Sequence, residues 1–176
     1  MLRKLIVLAV LASFALLPTG ATAQETLQFR ANATGDAATN LWFFSSPTCS
    51  TDAIAFTWLD QGVADFTASG DITPTAGAVD QEFEAFGNEV YGEVYFDGGD
   101  EAFEVGFFGT LQCLSETEAF VWGTWDWGYA YEFGADALCT PLNGLGRVAI
   151  RANFATGDSS TYVQGFYTEG ATGPCA

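Results

Sequence analysis

The chain has 176 residues, 49% of them hydrophobic, with 22 Asp and Glu against five Lys and Arg and no histidine. Without histidine there is no Ser-His-Asp or Cys-His nucleophile and no His-ligated metal centre. The acidic excess repels nucleic acid and anionic lipid and attracts cations or basic partners.

The N-terminus reads as a secretory signal peptide. Arg3 and Lys4 form a basic start, Leu5 to Leu17 an apolar core, and Pro18 and Gly20 break any helix before the small-x-small site Ala21-Thr22-Ala23. An apolar run of about 13 residues is short of the roughly 20 that span a bilayer. Cleavage after Ala23 leaves a single β-rich domain, residues 24–176, with no membrane span, and places the protein outside the cell or in a periplasm. That segment contains no lysine. Its cations are Arg30, Arg147 and Arg151, which against 22 acids give a net charge of −19. Schiff-base and Ser-Lys chemistry are thereby excluded, and no phosphate-binding or dinucleotide Gly-rich loop is present.

Beyond residue 24 the apolar residues recur at every second position, the period of strands and not of helices. Strands are expected at Leu27 to Ala33, Thr39 to Ser45, Ala53 to Leu59, Ala64 to Ser69, Val79 to Phe86, Glu89 to Phe96 and Glu101 to Gln112. Glu118 to Trp125, Gly128 to Phe133, Gly146 to Ala155 and Ser160 to Thr168 complete the series. About 8–11 short strands joined by tight turns predict an all-β antiparallel sandwich or a small closed barrel. The segment Arg30 to Asp36 is echoed at Arg151 to Asp158. Either Thr-Gly-Asp is simply a favoured turn, or the first and last hairpins lie side by side.

Cys49, Cys113, Cys139 and Cys175 are spaced too widely for a zinc site, and an even number in an oxidising compartment implies two disulfides. Three pairings are possible. Cys113–Cys139 with Cys49–Cys175 is favoured, because the first pair sits nearly symmetrically about Trp125-Asp126-Trp127-Gly128, taken as a hairpin turn. Asp97-Gly98-Gly99-Asp100-Glu101 has the composition of a calcium loop without its spacing, and reads as a plain hairpin tip. No cofactor is expected, and calcium is the one metal that this segment raises.

The segment Phe120 to Phe133 is the most unusual. Trp125, Trp127, Tyr129, Tyr131 and Phe133 alternate with smaller or polar residues. Exposed planar rings beside carboxylates suit sugars, whose CH groups stack on the ring while Asp or Glu accepts hydroxyl hydrogen bonds. Trp125, Asp126 and Trp127 at a hairpin tip, with Tyr129 and Tyr131 behind them, are therefore the candidate ligand-binding residues. The competing assignment is that these rings fill the core. Carboxylates are too abundant for a catalytic pair to stand out, so no catalytic residue is assigned. Glu82 and Glu84 share one strand face, as do Glu89, Tyr91, Glu93 and Tyr95, and a solvated acidic surface explains them. The leading expectation is a secreted non-enzymatic binding or surface-associated module with carbohydrate, or else a basic partner, as its ligand. The alternatives are an acid-only hydrolase using a carboxylate pair and a small outer-membrane β-barrel. Sequence alone assigns no oligomeric state.

Overall fold

The computed structural model describes residues 24–35, 41–43, 49, 56–153 and 155–175. The proposed signal peptide lies outside the described residues, as does Asp36, whereas Thr34 and Gly35 of the first Thr-Gly-Asp end the first strand. Ten strands follow in order: β1 Leu27–Gly35, β2 Leu41–Phe43, β3 Phe56–Gly70, β4 Ala76–Phe86, β5 Glu89–Asp97, β6 Glu101–Ser115, β7 Glu118–Glu132, β8 Leu138–Asn153, β9 Ser159–Glu169 and β10 Gly173–Pro174. There is no helix among the described residues, as the two-residue period requires.

From β3 to β9 each strand pairs antiparallel with the next, a simple meander. β1 then lies between β9 and β3, with Arg30 opposite Gln164 on one side and Ser69 on the other. That double pairing closes the sheet into an eight-membered ring of β1 and β3–β9, while β2 and β10 add short pairings to β3 and β8. The fold is the barrel of the two expected alternatives, and closure removes the open edges that a meander would leave exposed. β1 sits beside β9, Gly35 opposite Ser159. The second Thr-Gly-Asp copy is a turn, in which Asn153 Oδ1 accepts from the Ala155 and Thr156 amides and the Thr156 hydroxyl donates to Asp158.

An eight-stranded barrel has an interior just wide enough for side chains. Here Phe96 and Phe103 stack at 4.4 Å, Phe66 meets Phe96 edge-on at 5.0 Å, and Phe29 lies 5.4 Å from Phe103 and 5.6 Å from Trp125. Val79, Phe83, Val94, Val105, Ile150 and Val163 fill the rest. Inside this apolar packing Gln81 donates to Ser159 Oγ at 3.0 Å and accepts from the Thr161 hydroxyl, so its buried amide is satisfied.

Three expectations are corrected. The expected strand Ala53 to Leu59, from Phe56 on, and the expected strand Ala64 to Ser69 are one strand, β3, with an irregularity between Gln61 and Ala64. Trp125 to Gly128 is no turn, because β7 runs unbroken through it to Glu132. The disulfides are Cys49–Cys113 and Cys139–Cys175, with Cα–Cα distances of 5.6 and 5.0 Å. With the turn gone, the symmetry that favoured Cys113–Cys139 goes too. Cys139 meets Cys175 because β10 pairs with the first residues of β8, which begins eight residues before the expected Gly146. Two disulfides are compatible with an oxidising compartment.

Candidate functional site

The aromatic segment owes its geometry to one bulge. On the β6 side Phe107 opposes Trp125 and Gly106 opposes Trp127, leaving Asp126 without a partner there. On the β8 side Trp125 opposes Gly146 and Trp127 opposes Asn143, so the register slips there too. A bulge reverses which alternate residues face inward. Ala119, Val121 and Trp125 therefore point into the barrel, whereas Trp127, Tyr129, Tyr131 and Phe133 point out.

Of the expected ligand-binding residues, Trp125 must be withdrawn from the surface. It is 0% exposed, its Nε1 donates to the Gln164 carbonyl at 2.9 Å, and a Cβ added to Gly146 would lie 1.9 Å from that same nitrogen. Missing side chains on the facing strands make room for the indole. Trp127 is 40% exposed, Tyr129 is exposed beside it, and Tyr131 is half-buried. Asp126 is exposed at the bulge itself, not at a hairpin tip.

Along β7 the rings stand in order. Successive centroids from Trp127 through Tyr129 and Tyr131 to Phe133 are 6.3, 6.1 and 6.0 Å apart, the last pair nearly parallel. Six residues of strand carry this row about 20 Å along the barrel wall. Trp127 lies flat across β6 because Gly106 has no side chain; a Cβ there would sit 1.8 Å from the indole. The neighbouring strands supply the oxygens. Glu82 opposes Glu93, which opposes Gly106, and Tyr95 opposes Glu104, which opposes Tyr129. The Tyr131 hydroxyl donates to Glu104 at 2.6 Å, and Tyr95 lies 5.9 Å from the Tyr131 ring.

Two open grooves flank the row. One, of about 310 Å³, is lined by Glu82, Glu84, Tyr91, Glu93 and Trp127, with Gly92 and Phe107. The other, of about 350 Å³, has Tyr129 and Tyr131 on one wall and Gly173, Pro174 and the Cys139–Cys175 bridge on the other. The second groove exists because the disulfide holds the C-terminal segment against β8.

Crowding of like charge marks the first groove. Burial, then Glu104 and Glu82, push the Glu93 carboxyl above its ordinary range. Burial and the hydrogen bond to Glu104 push the Tyr131 phenol upward. At the tip of the β5–β6 hairpin, the Asp97 carboxylate accepts from the Gly99 amide at 2.7 Å, and Gly98 N–H donates to the Glu101 carbonyl. Among the described residues no three acidic or sulfur side chains converge to hold a metal ion.

Sequence reasoning named Glu82, Glu84, Glu93, Tyr91 and Tyr95 only as a solvated face and missed Glu104 and Gly106. Their signal was the alternation of β6, which sets Glu104 and Gly106 on the face opposite to the core residues Phe103, Val105 and Phe107. No family model, curated protein or solved structure matches the chain.

Proposed function

We propose that the protein is a secreted, non-enzymatic binding module whose outer face on β4–β7 takes carbohydrate. The carrying observation is the row of Trp127, Tyr129, Tyr131 and Phe133 on the outside of a closed barrel, next to Glu82, Glu84 and Glu93. An aromatic row that is not needed for the core costs solubility. Flat rings beside acceptors offer a sugar both of its surfaces, CH groups to the rings and hydroxyls to the carboxylates. The site is shallow, which suits binding an extended chain from the side.

A glycan array with Trp127→Ala and Tyr129→Ala tests this. Binding should fall at least tenfold in each variant, with the melting temperature lowered by no more than about 4 °C. An array profile identical to that of the unmodified protein in the double variant would end the proposal.

The acid-only hydrolase is the second reading, favoured by Glu93. Its carboxyl, raised by burial and by Glu104 and Glu82, is the kind of group that general-acid chemistry needs. Directly opposed side chains have Cβ atoms about 5 Å apart. Release of reducing ends by the protein, abolished in Glu93→Gln, would replace the first reading with this one. The membrane-barrel reading is the poorest. A lipid-facing wall would take Glu82, Glu84, Glu89 and Glu93 into hydrocarbon, while the apolar side chains face inward, the inverse of a membrane barrel.

A further inference from the structure

On the barrel wall centred on β9, two strands from the aromatic row of β7, the strands β3, β1, β9 and β8 bound an open groove of about 520 Å³. Two of the three arginines that follow residue 24 stand in it. Arg30 and Arg147 oppose Gln164 from its two sides, which puts their Cα atoms about 10 Å apart. Tyr162 fixes this arrangement: its ring carries the Arg30 guanidinium at 5.9 Å, and its hydroxyl donates to Gln164 Oε1 at 2.6 Å, leaving the Gln164 amide hydrogens for another acceptor. The third arginine, Arg151, is held by Glu118 at 2.6 Å outside the groove. Among the described residues neither Arg30 nor Arg147 makes an ion pair.

A chain with 22 acids and two cations to spare has every opportunity to neutralise them, yet it sets both in one groove. The adjoining row is apolar. Phe166 opposes Leu145, and they are 60% and 65% exposed. Cationic forks on one side and hydrocarbon on the other match one class of molecule. We propose that this groove binds an amphiphilic carboxylate, its head group held by Arg30, Arg147 and Gln164 and its apolar body laid on Phe166 and Leu145. Guanidinium groups bind carboxylate through paired hydrogen bonds, and the volume is that of an ordinary small-molecule site. The site is independent of the carbohydrate face and stands or falls without it.

Calorimetric titration of the protein with octanoate tests the assignment, using octanamide, acetate and an oligogalacturonate as comparisons. Octanoate should bind at least tenfold more tightly than octanamide, which lacks the charge, and than acetate, which lacks the body. Arg30→Gln and Arg147→Gln should each weaken octanoate at least tenfold, and Leu145→Ser severalfold. Arg151→Gln, which changes net charge equally outside the groove, should stay within twofold. Arg147→Lys keeps the charge but loses the fork and should fall between. Equal binding of octanoate and octanamide, equal weakening by Arg151→Gln, preference for the oligogalacturonate, or no octanoate binding at millimolar concentration would each overturn the proposal.

Discussion

Trp125 and Trp127 are two residues apart and do opposite work. The first is enclosed by Phe29, Gly146 and Gly165, and its ring nitrogen is satisfied by a carbonyl. Truncating it empties a cavity that the barrel cannot collapse into, so Trp125→Ala should cost about 4 kcal/mol. Trp127→Ala should cost under about 1 kcal/mol and be felt in ligand binding. Urea titrations of both variants check this, and similar losses would mean that Trp127 belongs to the core. Glu93 makes a prediction of opposite sign. Its folded carboxyl is raised, so the folded state holds that proton more tightly than the unfolded chain. The stability this contributes is complete below about pH 4.5 and is lost as pH rises through the folded value. Glu93→Gln should therefore raise the melting temperature at pH 7 by roughly 1–2 °C, solvent screening keeping the gain small, and do nothing at pH 4. Equal melting at both values would remove the charge crowding from the groove.

At the scale of the strand, the alternation was plain in the sequence and the bulge was not. Leu27 to Ala33, Val79 to Phe86 and Glu89 to Phe96 fall where their two-residue rhythm puts them. The rhythm of β7 appears unbroken through Trp125 and Trp127 because both are apolar. A one-residue slip between two tryptophans leaves no mark in hydropathy, although it decides which of them meets solvent. The start of β8 was hidden for a related reason. Pro141 lies opposite Tyr129 inside the strand, where proline argues against a strand interior, and Gly144 reads as loop until Trp125 is seen to need its missing side chain. The disulfides divide along the same lines. Each closes a long loop, with separations of 64 and 36 residues, and should contribute about 4 kcal/mol. Among the described residues Cys139–Cys175 also walls a groove, beside Tyr129 and Tyr131. Replacing Cys139 and Cys175 by serine should lower both the melting temperature and the glycan affinity, whereas replacing Cys49 and Cys113 should lower the melting temperature alone. Glycan binding lost equally in both variants would break the link between the C-terminal segment and Tyr129 and Tyr131.

For the molecule as a whole, composition foretold the electrostatics, and closure of the barrel gave them direction. The acids of β4–β6 and the groove arginines stand on different sides of one ring, so the surface is polarised as well as strongly negative. Burial lifts the phenols of Tyr95, Tyr131 and Tyr167, the last to about 12, and both burial and its neighbours lift Glu93. Every one of these acids is easier to protonate in the folded state. By linkage each contributes stability that is whole at low pH and fades as pH climbs, Glu93 from about pH 4.5 and the tyrosines above pH 10. Self-repulsion among the remaining carboxylates has the same sign, since it grows as they ionise. The melting temperature should therefore fall from about pH 4 to about pH 6, where carboxylates ionise, and change little from there to about pH 8. Salt should recover most of that loss at pH 8, because the screening length shrinks from about 10 Å at 0.1 M to about 3 Å at 1 M. Scanning calorimetry across this grid of pH and sodium chloride reads both effects. A melting temperature that rises toward pH 8, or that ignores salt there, would show that the carboxylates are held apart well enough not to oppose folding.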